Sequence, residues 1–175
     1  MSDPVKSILR FLLFVGVQGL ILSNLPPLHR TITPYLYFLF LIWLPFTHNK
    51  MAVLIWGFVL GFAVDLFTKT PGLHASAALW VAFFRGPLIS LLVPKDTRDL
   101  KTGTPGVGSM GFSAYFIMVV ILTIIHHSWV VLIEWMYFGN FWYYLQKVFM
   151  STLISLLLIL VTEMLFRSTR KRRIG

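Results

Sequence analysis

The feature that most constrains this chain is a series of long apolar runs separated by proline, glycine and charged residues. The runs are continuously apolar and lack the alternating polar face of a helix that packs on a soluble core. Of the 175 residues, 57% are hydrophobic and only 12% are charged, which leaves too few polar side chains to cover a water-soluble surface. The sequence therefore predicts an all-α integral membrane protein, with a single membrane domain over residues 1–175.

Six of the runs are interpreted as transmembrane helices. They cover residues 8–23, 32–46, 51–67, 73–93, 113–133 and 144–166, and a basic tail follows at 167–175. The second and third runs are short against the roughly 20 residues that a helix needs to cross a hydrocarbon core at right angles. A re-entrant hairpin made of these two runs is therefore an alternative that the charge distribution has to test.

Basic residues indicate the orientation of the spans, because Lys and Arg beside membrane helices are retained on the cytoplasmic side. With both termini in the cytoplasm, eleven of the 15 Lys and Arg residues fall in cytoplasmic segments, and only Arg30 and Lys69 fall in outer loops. A re-entrant hairpin would move the three basic residues between the fourth and fifth runs to the outside. We therefore predict six spans with N-in/C-in topology. The formal charge of +9 is then explained by topology and not by nucleic-acid binding.

Signatures of catalysis, metal binding or cofactor binding are weak. The chain contains no cysteine, which excludes disulfides, thiolate metal sites and cysteine nucleophiles. The loop that begins at Gly103 resembles a phosphate-binding loop, but Ser109 and Met110 stand where its lysine and hydroxyl are needed, which favours a flexible connector. His126 and His127 point about 100° apart on a helix, which favours packing and hydrogen bonding over a shared metal ion. We predict no enzyme, no metal and no cofactor.

Small residues mark one side of the third span and one side of the fourth. Gly57, Gly61 and Asp65 recur every four residues and so share a helix face. The stripe on the fourth span consists of Ala75, Ala78, Ala82 and Gly86. Because small residues let helix backbones approach closely in lipid, we expect the two spans to pack as an antiparallel pair.

Ionisable residues within apolar spans are the main candidates for function, since each is costly to bury in lipid without a partner. Asp65 and His74 flank the short turn between the third and fourth spans, at similar depth. A structural hairpin is the simpler interpretation, and a proton relay or ligand site is the alternative. Arg85 lies deeper and can snorkel inward or pair with Glu163, while Gln18 suits a hydrogen bond between helices.

The basic tail is a further candidate surface, because it directly follows the last span. Such a cluster anchors and orients a membrane protein, and it also attracts anionic lipid headgroups. Its residues are Arg167, Arg170, Lys171, Arg172 and Arg173.

Two stretches at the centre of the chain, GFVLGFAVDLF from Gly57 and PGLHA from Pro71, resemble the signature of the rod-shape-determining MreD family. Weaker likeness extends to residues 17–18, 23–24, 34–37 and 82–85, and the length, the six apolar segments and the basic tail agree with it. The family motif carries over onto Asp65, Gly72 and His74. Residues 102–111 have no counterpart in the family pattern.

The resemblance implies a multi-pass protein of the bacterial cytoplasmic (inner) membrane that belongs to the cell-elongation machinery. Such a protein binds the membrane-anchored protein MreC and acts beside peptidoglycan synthases and the MreB cytoskeleton in cell-shape control and cell-wall organisation. It is not an enzyme, and its fold is similar to the membrane-embedded substrate-binding subunits of energy-coupling-factor transporters.

Two functions follow as expectations. The first is a non-catalytic scaffold that binds MreC, with Gly61 and Ala78 as test positions. The alternative is a vitamin-type, small-molecule-binding subunit of a membrane transporter, which requires a cavity with converging polar groups such as Asp65, His74 and Gln18. An intramembrane hydrolase is a third class, against which the lack of a Ser-Lys or paired-carboxylate arrangement counts.

Overall fold

The computed structural model describes residues 3–25, 32–93, 103–135 and 140–171, without the side chains of residues 3, 4, 6 and 167–171. Its regular structure over these residues is helical, with no strand. The long helices are α1 (Asp3–Gly16), α3 (Lys50–Thr68), α4 (Leu73–Leu92), α6 (Phe112–Glu134) and α7 (Phe141–Lys171). Two helices of four residues are also described, α2 (Leu39–Ile42) and α5 (Val107–Met110). After α1 the chain continues as a π-helical turn, Val17–Ile21, and a 3-10 turn, Leu22–Asn24.

Within the described part of the chain, five helical stretches are long and apolar enough to cross a membrane. They are Ser7–Asn24, Lys50–Thr68, Leu73–Leu92, Phe112–Glu134 and Phe141–Phe166. Large apolar side chains on their outer faces are exposed, among them Phe58 and Phe62 on α3 and Leu157 and Leu160 on α7. Such a surface is stable only when lipid covers it, so the chain is a multi-pass α-helical membrane protein.

The long helices pack in sequence order, α3 on α4, α4 on α6 and α6 on α7, while α1 lies against α3. Asn49 caps α3, since its side-chain oxygen accepts a hydrogen bond from the backbone N–H of Ala52 at 2.7 Å. The turn to α4 requires two left-handed residues, Lys69 with φ 57° and Gly72 with φ 87°. Glycine takes that conformation without strain, which explains why Gly72 stands directly before α4.

The prediction of a transmembrane helix at residues 32–46 is wrong. Residues 32–36 have no regular secondary structure, and only Leu39–Ile42 form a helix, which is four residues long. The segment is nevertheless the core of the protein, because no residue of 35–42 is more than 8% exposed. We call residues 32–46 the central segment.

The central segment runs alongside α7. The backbone N–H of Thr33 donates to Ser151 Oγ at 3.0 Å, and Trp43 Nε1 donates to Glu163 Oε1 at 2.7 Å. Ser151 and Glu163 are separated by twelve residues on α7, which is about 18 Å of helical rise. The segment therefore follows α7 over more than half the thickness of a hydrocarbon core of about 30 Å.

Side chains replace the missing helical hydrogen bonds at the start of the central segment. The N–H of Tyr35 donates to Ser155 Oγ at 3.0 Å, and the N–H of Leu36 donates to Gln18 Oε1 at 2.8 Å. Gln18 also donates to the carbonyl oxygen of Pro34 at 3.3 Å, so its side-chain amide is both a donor to and an acceptor from the backbone of the central segment. Irregular backbone at membrane depth is tolerated only where protein groups satisfy it, and these side chains do so.

Candidate functional site

Asp65 joins the end of α3 to the start of α4. Its Oδ1 accepts hydrogen bonds from the backbone N–H of His74 at 2.9 Å and from the His74 ring Nδ1 at 3.0 Å. Its Oδ2 accepts from the backbone N–H groups of Gly72 and Ala75, both at 3.0 Å. Thr70 Oγ1 adds a bond to Oδ1 at 3.2 Å. The carboxylate, which belongs to α3, thus caps the first turn of α4. The N-cap residue of α4 is Gly72, which has no side chain that could form the cap.

His74 connects this cap to the central segment. Tyr37 is fully buried, and its hydroxyl lies 3.3 Å from the carbonyl oxygen of His74 and 2.7 Å from His126 Nε2. The ring of His126 is stacked on Phe38, with centroids 4.5 Å apart. We call Asp65, His74, Tyr37, His126 and His127 the histidine cluster.

His127 points to the other side of the cluster, towards α7. Its Nδ1 lies 2.8 Å from the carbonyl oxygen of Thr123, and its Nε2 lies 2.9 Å from Ser155 Oγ. Ser155 is also the acceptor for Tyr35 N–H, so one hydroxyl group links α6, α7 and the central segment. The two adjacent histidines therefore serve different neighbours, as their angular separation on the helix predicts.

The chemistry available to the histidine cluster is limited. Within the described residues, no three His, Cys, Asp or Glu side chains lie close enough to hold a metal ion. His74 Nε2 and His126 Nδ1 are buried and have no hydrogen-bond partner in that part of the chain. The arrangement can fix helices and exclude water. The hydroxyl next to His127 Nε2, that of Ser155, is fully buried and also accepts from Tyr35 N–H, so it serves as a bridge between helices.

A second set of polar side chains lies at the opposite end of the central segment. Glu163 Oε1 accepts hydrogen bonds from Trp43 Nε1 and from the Tyr115 hydroxyl. Glu163 forms no ion pair with Arg85, so of the two alternatives for Arg85 the pairing with Glu163 is wrong. Arg85 is 3% exposed and donates instead to the carbonyl oxygens of Leu44 and Pro45. We call Trp43, Tyr115 and Glu163 the Glu163 cluster.

The loop at the same end as the Glu163 cluster contains a partly buried histidine, His48. Burial of its ring, together with the nearby Arg85 guanidinium, lowers the pKa of His48 below its ordinary value of 6.5. His48 Nδ1 has no hydrogen-bond partner among the described residues, so no acceptor at this atom stabilises the protonated ring.

The small-residue faces of α3 and α4 are in contact with each other. A Cβ on Gly57 would lie 3.0 Å from Ala82 Cβ, whereas a Cβ on Gly61 would lie 2.4 Å from the carbonyl oxygen of His74. Ala78 is fully buried between the two helices. Gly86 differs from the rest of its stripe, because a Cβ added there would meet nothing within 4 Å. These faces are therefore used within the chain.

Other sequence-based expectations have different outcomes. Part of the loop predicted to be a flexible connector is tied down, because Gly103 accepts a hydrogen bond from Phe46 N–H at 3.0 Å and Thr104 accepts one from Ser109 Oγ at 2.9 Å. The basic tail lies outside the described side chains.

Sequence reasoning missed the functional partners Tyr37, Trp43, Ser151 and Ser155. Their only signal was a hydroxyl or indole N–H inside an apolar run.

No family model, no curated protein and no solved structure matches the chain.

Proposed function

We propose that this protein is a non-catalytic scaffold of the bacterial cell-elongation complex in the cytoplasmic membrane, where it binds MreC. On this proposal the peptidoglycan synthases and MreB are its more distant partners, and its role is cell-shape control. The proposal starts from the resemblance of residues 57–67 and 71–75 to the MreD signature. It also needs a physical reason for that signature, which the hydrogen bonds of Asp65 supply.

The single observation that carries the proposal is that Asp65 accepts five hydrogen bonds, all from the turn and first residues of α4. Gly61 brings the α4 backbone close enough for them, and Gly72 starts the helix at the required angle. Each motif residue thus has a structural task. A chain whose buried polar groups are used to fix its helices is suited to present a constant surface to partners.

A proton relay at Asp65 and His74 is less well supported. Both carboxylate oxygens already accept at least two hydrogen bonds each, three of the five donors being backbone N–H groups. A proton that arrived at the carboxylate would have to displace one of these donors and weaken the cap. A carrier that must load and unload protons is poorly served by such a site.

A small-molecule-binding subunit of a transporter is the alternative function. It requires open space between the helices next to Asp65, His74 and Gln18. That space is occupied by the central segment, whose backbone takes both hydrogen bonds of the Gln18 amide and whose Tyr37 reaches the backbone of His74. The contacts therefore favour the scaffold over the transporter subunit.

The proposal includes six membrane crossings with both termini in the cytoplasm. The central segment acts as the second crossing, although it is not a long helix. Its hydrogen bonds to Ser151 at one end and Glu163 at the other support this path. With an even number of crossings, the basic residues at both termini share the cytoplasmic side, as the distribution of Lys and Arg requires.

Copurification in detergent with full-length MreC from the same bacterium tests the function. We expect a stoichiometric complex with MreC, and none with an MreC variant whose transmembrane helix is replaced by an unrelated apolar helix. Failure of wild-type MreC to copurify would contradict the proposal. A small molecule that copurifies stoichiometrically and raises the melting temperature would instead favour the transporter subunit.

Variants of Gly61 and Ala78 are unsuitable probes of MreC binding. Both residues lie between α3 and α4, so enlarging them disturbs the fold before it disturbs any outer surface. The binding surface has to be sought on side chains that face the lipid.

A further inference from the structure

A cleft of about 110 Å³ opens between α6 and α7 on the lipid-facing surface. Phe116, Leu160 and Met164 are exposed along it, and Tyr115 and Glu163 contribute the polar atoms. It is thus an apolar cleft that contains a carboxylate, a combination that is rare on a surface facing lipid.

One oxygen of the Glu163 carboxylate accepts no hydrogen bond from the described side chains, which do not include those of residues 167–171. Both of its hydrogen bonds, from Trp43 and Tyr115, end on Oε1, and within the described residues no donor reaches Oε2. The ion pairs in that part of the chain join His74 to Asp65 and Lys147 to Glu134, so neither involves Glu163. Two neutral donors orient the carboxylate but do not neutralise its charge.

The position of Glu163 along the membrane normal suggests which cation it meets. The apolar run of α7 ends at Phe166, one turn beyond Glu163, and the proposed topology puts this end at the cytoplasmic face. Lys and Arg are enriched at the cytoplasmic ends of transmembrane helices. A single-span partner helix beside α7 would therefore bring a basic side chain to the depth of Glu163.

We propose that the cleft between α6 and α7 is the docking site for the transmembrane helix of MreC, and that a Lys or Arg at the cytoplasmic end of that helix binds Glu163. This inference rests on the proposed scaffold function and names the surface that performs it. Apolar side chains of the partner helix fill the cleft beside Leu160, and the ion pair fixes their register. A phospholipid suits the site less well, because its anionic phosphate would lie near the carboxylate.

Binding measurements with matched variants test the docking site. Glu163→Gln removes the charge but keeps an oxygen that can accept from Trp43 and Tyr115, and we expect it to raise the Kd for MreC about tenfold. Leu160→Trp should fill the cleft and have a similar or larger effect. Leu157→Trp is the control, since Leu157 is also exposed on α7 but does not line the cleft.

Crosslinking keeps the test decisive if a variant unfolds. A photoreactive phenylalanine analogue at position 160 should crosslink to the MreC transmembrane helix in cells, and the same analogue at 157 should crosslink much less. Equal crosslinking from both positions, or an unchanged Kd for both Glu163→Gln and Leu160→Trp, would overturn the docking site and leave the scaffold proposal standing. A wild-type protein that does not bind MreC would overturn both.

Charge reversal separates an ion pair from general packing. Glu163→Lys should abolish MreC binding, and replacing the basic residue of the MreC helix by Glu should restore it. Mass spectrometry of the isolated protein should not find a phospholipid that is lost in Glu163→Gln. Such a lipid, together with unchanged MreC binding, would show that the cleft is a lipid site.

Discussion

Gly61 lies so close to Ala75 that a Cβ on Gly61 would be 2.5 Å from Ala75 Cα and 2.6 Å from Ala75 N. These neighbours are backbone atoms of α4, which cannot rotate away as a flexible side chain can. The contact therefore sets the distance between α3 and α4, and with it the reach of the Asp65 carboxylate to the N-terminus of α4.

Gly61→Ala should separate the two helices. We expect the free energy of unfolding in detergent to fall by about 3 kcal/mol, because the added methyl group forces a backbone shift. Gly86→Ala is the matched control on α4, since a Cβ there meets nothing within 4 Å. Its stability should be unchanged or higher by up to about 1 kcal/mol, as expected for Ala over Gly in a helix. Equal effects of the two substitutions would contradict the close contact.

Asp65→Asn replaces one carboxylate oxygen by an amide NH2 group. At the position of Oδ2, this group would face the N–H donors of Gly72 and Ala75 and could not accept from them. We expect a loss of about 3 kcal/mol in denaturant unfolding, because buried donors of the turn and of α4 lose their acceptor. The control is Glu134→Gln, which removes the charge from a partly exposed ion pair with Lys147 and should cost less than about 1 kcal/mol. An Asp65→Asn protein as stable as the wild type would remove the capping role of this carboxylate.

The pairing of α3 with α4 was predictable from the sequence, but the path of residues 32–46 was not. The spacing of Gly57, Gly61 and Asp65 defines a helix face whatever lies opposite it. In residues 32–46, hydropathy reports only that the segment is buried. Whether it is helical depends on acceptors from distant residues, here Gln18, Ser151 and Ser155.

The incorrect pairing of Arg85 with Glu163 has the same origin. A sequence places two opposite charges at similar depth, but it does not indicate that irregular backbone offers carbonyl oxygens between them. Arg85 binds the carbonyl groups of Leu44 and Pro45, which are available because the chain is not a regular helix there. Polar residues inside apolar runs were the only local sign of such a segment.

Ser155→Ala tests the support of the central segment. Without the hydroxyl, Tyr35 N–H and His127 Nε2 lose their partner, and we expect unfolding to become easier by about 1–3 kcal/mol. Thr162→Val is the control on α7, because the one partner of the Thr162 hydroxyl among the described residues is the Leu158 carbonyl of its own helix. That change should stay within about 0.5 kcal/mol. Equal stability of both variants would argue against the bridging role of Ser155.

Acidification should destabilise the fold through His48. Its pKa is lowered in the folded protein by burial and by Arg85, so the unfolded chain binds the proton more tightly. Stability is therefore lost as the pH falls through the ordinary pKa of 6.5. The melting temperature of His48→Gln should fall less between pH 7.5 and 5 than that of the wild type. Parallel curves for the two proteins would exclude a contribution from His48.

The absence of cysteine makes the membrane path of the central segment directly testable, because every introduced thiol is the only one in the chain. Three variants suffice, with a cysteine fused to the amino terminus, at Thr47 or at Lys69. If residues 32–46 cross the membrane, a membrane-impermeant maleimide added to intact spheroplasts should label Lys69→Cys alone. The other two thiols should react only after the membrane is opened.

A central segment that does not cross the membrane gives a different pattern. The amino terminus and Thr47 would then lie on opposite faces, because only α1 would separate them, and one of the two thiols would react in intact spheroplasts. That result would leave the contacts of Thr33 and Trp43 with α7 unexplained, since their partners Ser151 and Glu163 are about 18 Å of helical rise apart. Labelling of Lys69→Cys alone would instead show that an irregular, buried segment performs the crossing that hydropathy assigns to a helix.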